Sequence, residues 1–143
     1  MDEYTLYWGA PGSARAIHEY LGSTGFPAIS HVVETFSEGA SLAAAFPHRT
    51  IAPTGKIGFH QAGMNIAEGN YAEAKLSDLL QQVKGHNRAM INHLCLSLGF
   101  STEVVRPWVY DGAVFVGNEA KNAGIVHEVL TPHHARPNDH WIA

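Results

Sequence analysis

An α/β domain on a mostly parallel sheet is the fold class this sequence predicts, and three observations predict it. Short β-favouring runs alternate with helical apolar stripes through residues 4–130. Glycine-bearing turns separate them, as at Gly9-Ala10-Pro11-Gly12. The order strand, glycine turn, helix, strand, helix is that of right-handed βαβ units.

The elements follow in order. Residues 4–8, YTLYW, are aromatic and β-favouring and read as a first strand. The Gly9–Gly12 turn then feeds a helix whose apolar stripe is Ile17, Tyr20 and Leu21, broken over residues 22–27. Residues 28–36, with Ile29, Val32 and Val33, read as a second strand arriving at Ser37. SEGASLAAA is rich in small residues and suits a tightly packed helix. A turn through Phe46-Pro47-His48 leads to an extended piece, Arg49-Thr50-Ile51. A second turn, Ala52-Pro53-Thr54-Gly55, opens a strand of residues 56–59 that delivers His60.

Beyond Gln61, AGMNIAEGN is a glycine-rich polar loop. Residues 71–98 read as one long helix, or two joined at Gly85. Leu76, Leu79, Leu80 and Val83 share a face, as do Met90, Ile91, Leu94 and Leu98, and Gly99 is placed to stop the helix. The domain therefore spans residues 1–130, and residues 131–143 form a polar, proline-containing tail with Trp141 as an anchor on a neighbouring surface.

Composition sets the classes. At 143 residues the chain is long enough for one domain with a real core. Its 45% hydrophobic and 15% charged content is that of a globular protein. A net charge of −4, with nine thinly spread Lys and Arg, argues against a nucleic-acid partner. No apolar run approaches the roughly 20 residues of a membrane span, and no signal peptide opens the chain. Cys95 stands alone, so no internal disulfide forms, and it reads as a small buried hydrophobe in a reducing, cytoplasmic compartment. The ten histidines lack metal-ligand spacing: there is no HExxH, and only His140 lies near the His133-His134 pair. No metal or other cofactor is expected.

The chemistry concentrates in residues 37–61. A hydroxyl at the start of a buried helix stands there with an imidazole at the end of a neighbouring strand. Serine and histidine so held are two thirds of an activated nucleophile, the imidazole taking the hydroxyl proton. Ser37 and, one turn on, Ser41 are the two candidate hydroxyls.

Ser37-Glu38-Gly39-Ala40, then Ala52-Pro53-Thr54-Gly55, then Gly58-Phe59-His60-Gln61, resemble the ClpP-like serine peptidases of the ClpP/crotonase superfamily. Those proteins carry a Ser-x-Gly-Ala nucleophile, a proline turn and a strand ending in Gly-Phe-His or Met-Ile-His. The resemblance implies Ser37 as nucleophile, since the motif's glycine stands two residues after it and nothing suitable follows the rival Ser41, and His60 as general base. Matching the motif that ends in Ile17-His18-Glu19-Tyr20-Leu21 puts Gly9 in the oxyanion hole, or Gly12 if the register slips, with the Glu38 amide as second donor. A second match is Val114-Phe115-Val116, a helix over residues 118–123 with Glu119-Ala120, then Gly124-Ile125-Val126-His127 and Val129-Leu130, the short strand, helix and apolar strand that end the superfamily's catalytic core. The third triad member should precede it. Asp111 is the carboxylate there, although a direct overlay falls on Gly112 and a plain Asp-Gly turn accounts for the pair equally well.

The resemblance thus implies a ClpP/crotonase-like superhelix of repeated ββα and βαβ units, N-terminally shortened, whose activity is peptide-bond hydrolysis on a peptide or protein substrate. It also implies a homo-oligomer joined through the long helix, with an unfoldase partner. Departures stand around the serine: Glu34, Thr35 and Phe36 replace small residues, Glu38 follows directly, and Trp8 stands in the first turn. They open a second reading, a catalytically inactive scaffold or assembly subunit. A third is a crotonase-type enzyme on acyl-CoA, against which the Gly-Phe-His strand argues.

Overall fold

The structure is a computed structural model of the chain and describes residues 13–25 and 28–131. The expected first strand at residues 4–8, the Gly9–Gly12 turn and most of the tail, with His133, His134, His140 and Trp141, lie outside the described residues. In chain order the elements are α1 (Ser13–Ser23), β1 (Ser30–Phe36), α2 (Glu38–Ala45) and β2 (Arg49–Gly58). Then follow α3 (Glu73–Leu98), α4 (Thr102–Tyr110), β3 (Val114–Val116), α5 (Asn118–Asn122) and β4 (Glu128–Val129). Among the described residues this is an α/β fold with a four-stranded, mostly parallel sheet and five helices.

β2 is central. β1 runs parallel along one side, pairing Ser30 with Arg49 and Phe36 with Gly58. The other side is shared: β4 is parallel to the start of β2, and β3 is antiparallel to its end, pairing Gly58 with Val114. The core lies between the sheet and the helices. Ile51, Ile57 and Phe59 meet Ala40 and Ala44 of α2, Ile91 and Leu94 of α3, Val105 and Val109 of α4, and Ile125 and Val126. Phe59, Trp108, Phe115 and Phe100 add an aromatic cluster with ring centroids 5.1–6.4 Å apart, within the range where edge and offset contacts are favourable. Ile17 and Leu21 of α1 pack on Leu42 and Phe46.

Several sequence expectations need correction. Ala52-Pro53-Thr54-Gly55 does not separate two elements: β2 runs through it as one strand. Between Val32↔Ile51 and Glu34↔Lys56, β1 advances two residues and β2 five, so the surplus bulges out of a continuous strand. Tyr20 leaves the apolar stripe of α1 and is exposed. α1 runs through Gly22 to Ser23 and turns at Gly25. Of the two alternatives for residues 71–98 the single helix is the one formed, without a joint at Gly85, and Gly99 ends it as expected, in the left-handed conformation with its N–H donating to Cys95 O at 2.9 Å. α4 went unforeseen, because Pro107 lies within it and masks the helical pattern.

Candidate active site

Ser37 forms the joint between β1 and α2. Its backbone stands at φ 54, ψ −120, and among the described residues it is the only non-glycine residue with positive φ. These are the angles of the first central residue of a type II′ turn, where glycine is favoured. The bend is fixed from outside, by Ser37 N–H donating to Gly58 O at 3.1 Å. Inside it, Ser41 N–H donates to Ser37 O at 3.0 Å. The amides of Glu38, Gly39 and Ala40 begin the helix and have no carbonyl one turn earlier to bond within it. Gly39 leaves room for a neighbour: a Cβ there would lie 2.3 Å from Thr35 Oγ1, which would have to shift.

A second joint of the same kind connects β3 to α5. Gly117 stands at φ 46, ψ −111, and its N–H donates to Gly55 O at 3.0 Å. Both bends therefore hang on carbonyls of β2, one on each side. At Gly117 a Cβ would fall 2.2 Å from Pro53 O, so only glycine fits.

His60 follows Phe59, whose ring is buried in the aromatic cluster and whose N–H donates to Ala113 O at 2.9 Å. The His60 ring is half-buried, and Nδ1 donates to the Gln61 carbonyl at 2.9 Å. A carbonyl only accepts, so Nδ1 carries hydrogen and Nε2 is the lone-pair nitrogen of the neutral ring. Ala62 N–H, next along, donates to Asn87 Oδ1 of α3 at 2.6 Å. Sequence reading gave Asn87 no role.

The parallel pairing of Phe36 with Gly58 brings Ser37 and His60 to the same end of neighbouring strands. No hydrogen bond joins Ser37 Oγ to the ring. Free enzymes often form this bond only with substrate. Asp111 caps α4, its N–H donating to Pro107 O at 2.8 Å, and the Asp111-Gly112 turn runs beside Phe59 through the Ala113 bond. Its carboxylate is exposed and, among the described residues, has no hydrogen-bond or ion-pair partner. Gly9 and Gly12 lie outside the described residues. The rival Ser41 is buried, and among the described residues its Oγ has no hydrogen-bond partner.

Two buried basic side chains brace the far end of the sheet. Arg49 donates from Nε to Ile125 O at 2.7 Å and from Nη1 to Phe46 O at 2.8 Å, and burial lowers its pKa. His31 on β1 lies 2.7 Å from Thr50 Oγ1 through Nδ1. The Thr50 hydroxyl donates to Ser30 O at 3.2 Å, so it accepts from His31 Nδ1–H. Burial lowers the His31 pKa as well. Nearby, the His48 and His127 rings stack 5.2 Å apart, and His127 Nδ1 accepts from Arg49 N–H at 3.0 Å.

Among the described residues no three His, Cys, Asp or Glu side chains are grouped to hold a metal ion. No helix there is long and apolar enough to cross a membrane. Cys95 is half-buried against the core. No protein-family model matches the chain, and no curated protein matches it significantly.

Proposed function

We propose that this chain is a ClpP-like serine peptidase of the ClpP/crotonase superfamily, cleaving peptide bonds through an acyl-enzyme. One observation carries the reading: a serine occupies a glycine-favouring bend at the strand–helix joint, beside the strand that delivers His60. A sharp strand-to-helix turn is how α/β-hydrolases, a different fold, expose a serine hydroxyl above a sheet.

In the proposed reaction Ser37 Oγ adds to the substrate carbonyl carbon while its proton passes to His60 Nε2. The carbonyl oxygen becomes an oxyanion facing the Glu38 amide, where the N-terminus of α2 favours negative charge. Gly9 supplies the second amide on the resemblance. The C–N bond breaks as His60 returns the proton to the leaving amine. Water then attacks the ester with His60 again as base, releasing the acid and restoring Ser37. Asp111 is the resemblance's orienting carboxylate, and no cofactor enters.

A fluorophosphonate probe followed by intact-mass spectrometry tests this. A single adduct on Ser37, lost in His60→Ala, is the expected result. An unlabelled, well-folded protein turns the reading to the inactive scaffold. The specific observation behind that alternative is the Asp111 carboxylate, which stands exposed while the Gln61 carbonyl holds Nδ1. A crotonase-type activity would instead appear as turnover of an acyl-CoA.

Homo-oligomerisation belongs to the same proposal. The buried residues of α3, Asn87, Ile91 and Leu94, all lie in its second half. The first half extends about 20 Å at about 1.5 Å per residue and bares Leu76 and Leu80. Sedimentation that shifts to a monomer in Leu76→Glu/Leu80→Glu is expected, and a monomeric wild type removes this part. The reading places the protein in the cytoplasm, with peptides or proteins as substrates and an unfoldase as partner.

A further inference from the structure

We infer that Asn87 is a positioning residue for His60, acting through the Gln61–Ala62 peptide group. The catalytic consequence rests on the peptidase reading; the structural content does not. His60 Nδ1 donates to Gln61 O at 2.9 Å, and Ala62 N donates to Asn87 Oδ1 at 2.6 Å. That carbonyl and that N–H belong to one peptide group, which is trans. In a trans peptide the C=O and N–H point in opposite directions. The helix therefore holds one side of the plane and the imidazole hangs from the other.

Two further facts favour a purpose for this arrangement. Asn87 is only 2% exposed and is the single polar residue among the three buried positions of α3, beside Ile91 and Leu94. Asparagine is a poor helix former, and a buried amide is costly unless it is bonded. What it bonds is the first backbone N–H past His60's own peptide, at the point where the chain enters the exposed loop of residues 63–70. Without that anchor the Gln61 carbonyl would turn with the loop.

The chemical effect is on the tautomer. Held by a fixed carbonyl, Nδ1 keeps its hydrogen, and the lone pair stays on Nε2, the nitrogen a serine base needs. Donation by Ala62 N–H to Asn87 also polarises the peptide, which strengthens its carbonyl as an acceptor. The Asn87-anchored peptide thus performs the orienting task that the resemblance gives to an aspartate, while Asp111 stands exposed.

The test uses the 15N-labelled full chain, reading the His60 tautomer from its ring-nitrogen resonances and the Ala62 amide by hydrogen exchange. The wild type is expected to show Nδ1–H and a protected Ala62 amide. Asn87→Leu, close in size but without an acceptor, is expected to move neutral His60 toward the Nε2–H tautomer. It should also speed Ala62 exchange by about tenfold, the scale of one lost hydrogen bond. Fluorophosphonate labelling of Ser37 should slow by about tenfold or more, as when outer partners of ligating histidines are lost. Asn87→Asp, which keeps the acceptor oxygen, restores the Nδ1–H tautomer.

A folded Asn87→Leu with unchanged tautomer and exchange overturns the inference. So does a wild-type Ala62 amide that exchanges as fast as those of residues 63–70, a result that needs no variant to fold. A wild type that never labels, while Asn87→Leu still shifts the tautomer, removes the peptidase reading and upholds the tether. Labelling that persists with the tautomer unmoved does the reverse.

Discussion

Ser37 is tied to Gly58 by a 3.1 Å backbone hydrogen bond, so the left-handed bend at Ser37 is set by β2, not by its own helix. Replacing Ser37 by alanine keeps the unfavourable backbone, whereas glycine relieves it. A non-glycine residue in such a region costs about 1–3 kcal/mol, against about 0.4–1 kcal/mol for the extra freedom of unfolded glycine. Ser37→Gly should therefore be about 1 kcal/mol more stable than Ser37→Ala in urea unfolding. Both lack the hydroxyl, so the difference isolates the backbone. Equal stability would mean the bend is unstrained.

Gly39 and Thr35 form a second testable pair. A Cβ at residue 39 would lie 2.3 Å from Thr35 Oγ1 but 3.7 Å from Thr35 Cβ. Gly39→Ala should cost about 1–2 kcal/mol by overpacking. In a double-mutant cycle with Thr35→Ala, most of that loss should disappear. An additive cycle would place the conflict elsewhere.

Ser41 separates the two serines. Its buried Oγ has no hydrogen-bond partner among the described residues, and an unmade hydrogen bond of this kind costs about 1–3 kcal/mol. Ser41→Ala should hold or raise the melting temperature and leave probe labelling of Ser37 unchanged. A loss of labelling would reinstate Ser41 as the nucleophile.

His31 gives stability a pH dependence. Burial lowers its pKa in the folded protein from 6.5. Below pH 6.5 the unfolded chain binds a proton that the folded chain resists, so its unfolding becomes easier. The His31 contribution is complete above pH 6.5, declines as pH falls from there, and levels off below the lowered folded value. Unfolding free energies of wild type and His31→Gln should converge or cross in that direction between neutral and acid pH. A pH-independent difference would show that His31 does not titrate in the transition.

Arg49 joins three segments through carbonyls of Phe46 and Ile125. Lysine has one donor group and cannot reproduce this fork. Arg49→Lys should cost about 2 kcal/mol, the scale of hydrogen bonds from a charged group, as read by chemical denaturation. A change below a few tenths would make Arg49 dispensable.

The local patterns were enough to place β1 and α2, because each has short-range signals that agree with its burial, and the resemblance placed α5. Ser37 at a strand–helix joint and His60 at a strand end were legible for the same reason. The continuity of β2 was not, since proline and glycine signal a turn locally and only the return to β1 makes them a bulge. Asn87 was invisible because its partner, Ala62, is 25 positions away and contributes only backbone. Asp111 illustrates the converse: chain order brought its turn beside Phe59, and its carboxylate stands exposed there.

The paired bends at Ser37 and Gly117 give the fold an internal control. Both end a strand on a helix with nearly the same dihedral angles and the same kind of anchor on β2. At one the chain uses the residue that suits the bend. At the other it installs a side chain that the architecture does not ask for. Folding alone accounts for Gly117, and the same bend at Ser37 would accept glycine as readily, so the serine hydroxyl can be removed there with the backbone relieved rather than strained.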